Sequence, residues 1–316
     1  MDDLRVAVVG AGKLGSLHAR KYAAIPGVRL THVVDTDLAR AREAAAPAGA
    51  AALTDYRELK GQVDAASVAA PGSIHHELAS YLMTSGVDVL LEKPMAANLD
   101  QARELAALAR KANRVLQIGH LERFNPAIVH LRTMLHAPRF IECHRLAPFS
   151  ERGTDVDVIL DLMVHDLDVI LTLVTGEVTA VEAIGVAVLT DRTDVANARI
   201  RMSGGVIANL NVSRVAPRSE RKIRFFQPDA YISVDYEARR IQLYRKNPAP
   251  PGSVYPEISA RQIDFGDADP LGDEIASFVA SVRSRSQPAV TAEDGVRVME
   301  VSERIHAAMR AQDQSR

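Results

Sequence analysis

Cysteine is almost missing: Cys143 stands alone in 316 residues. A disulfide within the chain is excluded, and a thiolate metal site lacks its usual set of ligands. A charge excess of either sign is missing too. Lys and Arg number 38 against 40 Asp and Glu, a formal net charge of −2. No nucleic-acid partner or anionic membrane surface is expected from such a balance. Long apolar runs are absent as well. The stretch Val156–Val174 is interrupted by Asp157, Asp161, His165, Asp166 and Asp168, so it cannot span a bilayer. Met1-Asp2-Asp3-Leu4 opens the chain with acid and no apolar stretch, unlike a secretory signal. These absences imply a cytoplasmic protein. What is present is ordinary for a globular chain: 47% hydrophobic and 25% charged residues.

A chain of 316 residues suits two domains, and the patterning changes near residue 120. Before it, short apolar runs end at Val9, Val34, Ala70, Leu91 and Gly119, with amphipathic stretches at 73–85 and 98–112. Continuous apolar strands separated by helices predict a parallel sheet covered on both faces. The alanine-rich stretch Ala39–Ala52 is read as a helix interrupted by Pro47 and Gly49. After residue 120 a helical stretch at 156–174 precedes strands of period two between Val178 and Arg245. Val206, Ala208, Leu210 and Val212 alternate with Ile207, Asn209, Asn211 and Ser213, as a half-buried antiparallel strand does. Asn247–Pro256 reads as a surface loop, and helices near 271–285 and 292–311 close the chain. The expected architecture is α/β: a Rossmann domain over 1–120, then an α+β domain over 121–316 with a largely antiparallel open sheet.

Gly10-Ala11-Gly12-Lys13-Leu14-Gly15 fits G-x-G-x-x-G directly after the first predicted strand and at the start of a helix. That context makes a short motif informative. The glycines allow a tight turn, close approach of a pyrophosphate and close helix–strand packing, with free N–H groups at the helix start. Asp35 ends the second predicted strand, 20 residues after Gly15. A carboxylate there bonds ribose hydroxyls and repels a 2′-phosphate, which predicts NAD rather than NADP. Gly10, Gly12, Lys13, Leu14, Gly15 and Asp35 are therefore the expected cofactor residues.

Three further strings, Ala70-Pro71 with His75, Glu92-Lys93-Pro94, and Asp161-Leu162-Met163-Val164-His165, occur in the order seen in one family. With the glycine loop they resemble the glucose–fructose oxidoreductase/inositol dehydrogenase (Gfo/Idh/MocA) family over nearly the whole chain. The resemblance implies that Pro71, His75, Glu92 and Lys93 lie at the cofactor. It also implies that Lys93, Asp161 and His165 are catalytic, and that the C-terminal sheet serves the substrate site or assembly into a homo-oligomer, dimer or tetramer. Gly119-His120-Leu121-Glu122-Arg123-Phe124-Asn125-Pro126, 155–168 and 194–199 are similar to the subgroup that oxidises UDP-N-acetylglucosamine at C3. That similarity implies a nucleotide-sugar substrate, and a downstream aminotransferase to consume the ketone.

The chemistry of the residues agrees with these roles. Oxidising an alcohol needs a base, and His165 titrates near neutrality. Asp161, four residues earlier on a predicted helix, shares its face and orients the ring; a plain helix-surface ion pair is the competing reading. Lys93 follows a strand at the edge where parallel sheets bind ligands, so it can stabilise a developing alkoxide. A solvated loop lysine is the alternative. His75 and His18 each suit either a cofactor contact or packing. Arg123, Asn125 and Arg152, together with Asp161 and His165, are the expected substrate contacts. Arg145 and Arg214 are further candidates for a diphosphate. No metal is expected: the aspartates around His165 have no second histidine to complete a site. Two other functions compete with a sugar-nucleotide dehydrogenase. One is a dehydrogenase of a free polyol or sugar, and the other a non-catalytic NAD-binding regulator.

Overall fold

The computed structural model describes residues 3–150 and 154–314. The chain forms two compact units.

In the first unit, β1 (Leu4–Val9), β2 (Val28–Val34), β3 (Ala51–Leu53), β4 (Ala65–Val68), β5 (Asp88–Glu92) and β6 (Leu116–Gly119) make one sheet, ordered β3-β2-β1-β4-β5-β6. Every neighbouring pair is parallel. This is the doubly wound order with a switch point beside β1, where dinucleotides bind. Strands β4, β5 and β6 are buried along their whole length, which explains why they are mostly apolar, with Ser67, Asp88, Glu92 and Gln117 as the exceptions. Helices α1 (Lys13–Ala23), α2 (Leu38–Ala45), α3 (His75–Thr84) and α4 (Leu99–Ala112) connect them. Asn98 caps α4, its side-chain oxygen accepting the Gln101 N–H at 3.0 Å.

The alanine-rich stretch differs from its expected form. Helix α2 ends at Ala45, a 3-10 turn spans Ala46–Ala48, and Gly49 turns the chain at φ 63° into β3. Only three residues pair with β2, and alanine carries no strand signature.

In the second unit, α5 (Pro126–Leu131), β7 (Phe140–Leu146) and α6 (Val164–Leu173) precede β8 (Val178–Val186), β9 (Val195–Met202) and β10 (Ile207–Ser213). Then come β11 (Glu220–Phe226), β12 (Ala230–Asp235), β13 (Arg240–Asn247) and β14 (Glu257–Asp264). The sheet order is β14-β13-β12-β11-β7-β10-β9-β8. All pairs are antiparallel except β7 with β10. Ala208, Leu210 and Val212 are buried, as are Ala196, Ala198, Ile200 and Met202 on β9, while Asn197, Arg199 and Arg201 are exposed.

Two helices close the chain, α7 (Pro270–Ser284) and α8 (Ala292–Asp313). The expectation placed everything after residue 120 in the second domain. Instead, Asp269–Met299 belongs to the first unit, and the second comprises Glu122–Ala268 and Glu300–Arg316. The reason is packing: Leu271, Ile275, Phe278, Val279 and Val282 of α7 join one core cluster with Tyr22 and Ala19 of α1 and with Val6 and Val8 of β1. Arg283 adds a bond to the Gly27 carbonyl at 2.6 Å. Among the described residues, no helix is long and apolar enough to cross a membrane.

Candidate active site

The first unit gathers the expected cofactor residues at the C-terminal edge of its sheet. Gly10 turns at φ 95°, and a Cβ there would lie 2.5 Å from the Ala69 carbonyl oxygen. A Cβ on Gly15 would lie 1.7 Å from the Gly10 carbonyl oxygen, so α1 packs against the turn only without a side chain. Gly12 is different. A Cβ there would meet no protein atom within 4 Å. The protein's own packing does not demand glycine at that position; the general reason for glycine there in such loops is room for a pyrophosphate. Gly12 also stands at the N-terminus of α1 with no side-chain cap, leaving N–H groups available to an anion. Lys13 is exposed and Leu14 half-buried on the first turn.

Asp35 follows β2 directly. Its Oδ2 accepts the Ala11 N–H at 2.7 Å and its Oδ1 the Asp37 N–H at 2.9 Å. The carboxylate therefore braces the glycine loop. Arg40 pairs with Asp37 at 3.1 Å, a solvated helix pair.

Two sequence motifs meet at Pro94. His75 is fully buried, with Nδ1 2.7 Å from the Pro94 carbonyl oxygen and Nε2 2.8 Å from that of Ala70. A Cβ on Gly72, next to Pro71, would lie 2.8 Å from the Pro94 ring. The packing reading of His75 is thus the one its ring contacts describe, while Pro71 itself is exposed. Glu92 ends β5 with its Oε1 3.1 Å from His18 Nε2. Lys93 follows, half-buried, with a cis peptide to Pro94. His76 pairs with Glu104 at 2.8 Å, away from these groups.

In the second unit, Asp161 and His165 do not share one α-helix. Ile159–Met163 is a π turn that runs into α6 at Val164. Such turns recur at functional sites because they re-aim side chains. Asp157 starts the turn. Its Oδ1 accepts the Ile159 and Leu160 N–H groups at 2.9 and 3.2 Å, and its Oδ2 lies 2.7 Å from His306 Nε2. Burial pushes the Asp157 carboxyl up, but His306 and these N–H groups outweigh it and hold it below the ordinary range. Both Asp161 and His165 are half-buried.

The arginines near this helix have partners within their own unit. Arg123 binds Asp168 through Nε at 2.9 Å and Nη2 at 2.6 Å. Arg145 binds Asp166 at 3.0 and 3.1 Å, reaches Glu122 at 3.3 Å and lies 4.8 Å from the Tyr236 ring centroid. Burial works against the Arg145 cation, but Asp166 and Glu122 outweigh it and raise its pKa. Asn125 caps α5 through the Ala127 N–H at 3.1 Å and donates to Glu122 and to the Tyr236 carbonyl. Arg214 donates to the Val156 carbonyl at 2.7 Å. The structure thus occupies Arg123, Asn125, Arg145 and Arg214 inside their own unit, and Arg152 lies outside the described residues. The partners of these arginines, Asp166, Asp168, Glu122 and the Val156 carbonyl, are far along the chain from them and left no local sequence signal.

A glycine loop open at Gly12, a helix N-terminus behind it and an acid at the end of β2 define a dehydrogenase with an NAD-binding Rossmann unit. The chain belongs to the GFO/IDH/MocA oxidoreductase family. Residues 4–120 match its NAD-binding Rossmann fold and residues 127–233 its C-terminal domain. The chain is 37% identical over 312 residues to a UDP-N-acetylglucosamine 3-dehydrogenase of Acidithiobacillus ferrooxidans, covering 98% of this chain and 99% of that one. A solved structure of that enzyme superposes with a TM-score of 0.90. An inositol 2-dehydrogenase of Saccharopolyspora erythraea is 36% identical over 190 residues, 57% of this chain and 56% of its own. Levoglucosan dehydrogenase, solved with NADH and levoglucosan, shares the fold at 18% identity with a TM-score of 0.88, over 98% of each chain. The cofactor of this chain is NAD.

Proposed function

We propose that the chain oxidises the C3 hydroxyl of UDP-N-acetylglucosamine to the 3-keto sugar nucleotide, in the cytoplasm, with NAD. One observation carries the reading: the similarity to the UDP-N-acetylglucosamine 3-dehydrogenase runs through both units, over 98% of the chain. The similarity to the inositol 2-dehydrogenase spans 57% of it. A polyol dehydrogenase is therefore the second reading. A silent NAD-binding regulator would have no use for Lys93, Asp161 and His165 together, and all three are present.

Gly10, Gly12, Gly15 and Asp35 fit the dinucleotide, with Lys13, Leu14, Pro71, His75, Glu92 and Lys93 around it. NAD, when bound, supplies the hydride acceptor. His165 takes the hydroxyl proton, and Asp161 orients the ring and stabilises its charged form. Lys93 hydrogen-bonds the reacting oxygen and stabilises its developing negative charge. Arg123 and Arg152 supply positive charge for a diphosphate, Arg123 while still held by Asp168. Diphosphate binding lies far from the reacting carbon, so it serves to place C3. The ketone is reactive and its formation by NAD is uphill near neutral pH, so an aminotransferase downstream draws it forward. The protein works as a homo-oligomer assembled through the second unit's sheet.

The test is to incubate the protein with NAD and UDP-N-acetylglucosamine, with and without a ketone trap, following NADH and product mass. NADH formation with loss of two hydrogens from the sugar nucleotide is expected. No such loss under either condition, beside brisk oxidation of myo-inositol or glucose, would move the function to the polyol reading.

A further inference from the structure

The core of the first unit holds a polar cluster built from four elements. His18 and Tyr22 come from α1, Ser67 from β4, Glu92 from the end of β5 and Glu274 from α7. His18, Tyr22, Ser67 and Glu274 are 0% exposed and Glu92 is 7% exposed. The Tyr22 hydroxyl lies 2.7 Å from Ser67 Oγ, which lies 3.1 Å from His18 Nδ1. His18 Nε2 lies 3.1 Å from Glu92 Oε1. Glu274 brings a second carboxylate oxygen within 4.8 Å of both His18 and Glu92.

Such a cluster is an expensive way to fill a core. Buried polar and ionic groups lose hydration, and apolar side chains of the same volume often serve stability as well or better. What the cluster supplies is position. Helix α1 starts at the glycine loop, and Glu92 immediately precedes Lys93. The Glu92 carboxylate is held by His18 on one side and lies over Gly119 on the other, where a Cβ would come within 2.8 Å of Oε2. The Glu92 side chain is thus bonded by His18 and confined beside Gly119, one residue before Lys93.

We propose that His18 is a positioning residue. Through Glu92 it sets the placement of the Lys93 amine and ties it to the helix that binds the pyrophosphate. The inference rests on the role given to Lys93 in the proposed function, and its test needs no sugar substrate.

The experiment measures acylation of Lys93 by an amine-reactive reagent in the NAD-bound protein, read by peptide mass spectrometry. The exposed Lys60 and Lys111 serve as internal references. His18→Leu, which cannot bond Glu92, should change the relative labelling of Lys93 by about threefold or more, a modest result of misplacing a positioned group. The dissociation constant for NAD, measured by calorimetry, should stay within about twofold, since the loop N–H groups are untouched. His18→Gln, whose amide N–H can still reach Glu92, should restore native labelling. Unchanged labelling in His18→Leu, or equal change in the Leu and Gln variants, would overturn the proposal. So would a stoichiometric metal in the native protein that is lost in His18→Leu, because a cation would then hold Glu92. If His18→Leu does not fold, Ser67→Ala removes the ring's other partner. Lys93 labelling should then shift, and unchanged labelling there would overturn the proposal equally.

Discussion

Asp35 does two jobs with one carboxylate. It holds the Ala11 and Asp37 N–H groups, and in the proposed function it also bonds the adenosine ribose. Asp35→Ser should lower kcat/KM for NAD by about tenfold, the scale of lost charge-assisted hydrogen bonds. It should also narrow the preference for NAD over NADP, because the charge that repels a 2′-phosphate is gone. Steady-state kinetics with both cofactors checks this, and a native preference for NADP would remove the role given to Asp35. In the proposed function Lys93, in the first unit, and His165, in the second, serve chemistry and their loss leaves cofactor affinity in place. Lys93→Ala and His165→Ala should each lower kcat by about a hundredfold or more, the range of a positioned acid–base group. NAD affinity, measured by fluorescence titration, should change little. A His165→Ala protein that keeps most of its kcat would exclude the base. The strings that hold Lys93, Asp161 and His165 stood out as motifs because they are short and ordered. Ser67 and Glu274 did not, since each reaches the cluster around His18 from a distant element without a motif of its own.

The helix that carries His165 depends on how it starts. Asp157 caps the π turn, and His306 of α8 anchors Asp157 from within the same unit. Asp157→Ala removes both contacts and should cost about 1 kcal/mol, the usual worth of a helix cap. Because the folded Asp157 carboxyl is held below its ordinary range, its contribution is complete above the unfolded aspartate value of about 3.9 and fades as pH falls through the folded value. The Tm difference between native and Asp157→Ala proteins should therefore be full at neutral pH and shrink below about pH 4. A difference that stayed constant down to pH 3 would show that the carboxylate charge is not what Asp157 contributes. The period of the apolar residues marked a helix at 156–174 but not the π turn inside it, because the turn depends on a cap and on a histidine nearly 150 residues away. Asp194 behaves similarly: burial pushes its carboxyl up, but the N–H groups of Thr190, Leu189 and Val188 and the Thr190 hydroxyl outweigh it and hold it below the ordinary range. Strands β7 and β14 were illegible for opposite reasons. Buried Arg145 breaks the apolar code of β7, and β14 is an edge strand exposed along most of its length, held by its ladder to β13.

At the scale of the chain, the parallel sheet and the antiparallel sheet were both readable from their periods, 120 residues of one followed by the other. The return of Asp269–Met299 to the first unit was not, because the apolar stripe of α7 would suit either core. The second unit's sheet presents a face whose residues are half-buried or exposed. Asn197 bonds Asn211 at 2.6 Å and Arg199 bonds Asn209 at 3.1 Å across β9 and β10. Arg224 lies 3.3 Å from both Glu142 and Glu220. Phe140, Phe226, Tyr231 and Tyr244 form a row with ring centroids 5.1 to 5.7 Å apart. Aromatic rings beside paired charges on a broad sheet are what a subunit contact uses, and a stable contact needs roughly 1,000 Å² or more of buried surface. If the protein assembles through this face, Phe226→Asp combined with Tyr231→Asp places two unpaired carboxylates in the buried patch. The dissociation constant should then rise by about a hundredfold or more, because an uncompensated buried charge is costly in an interface. Sedimentation velocity across a dilution series reads this directly, with circular dichroism confirming that the fold persists. A folded double variant that sediments as the native species would exclude this face. A native protein that sediments as a monomer at tens of micromolar would exclude assembly under those conditions.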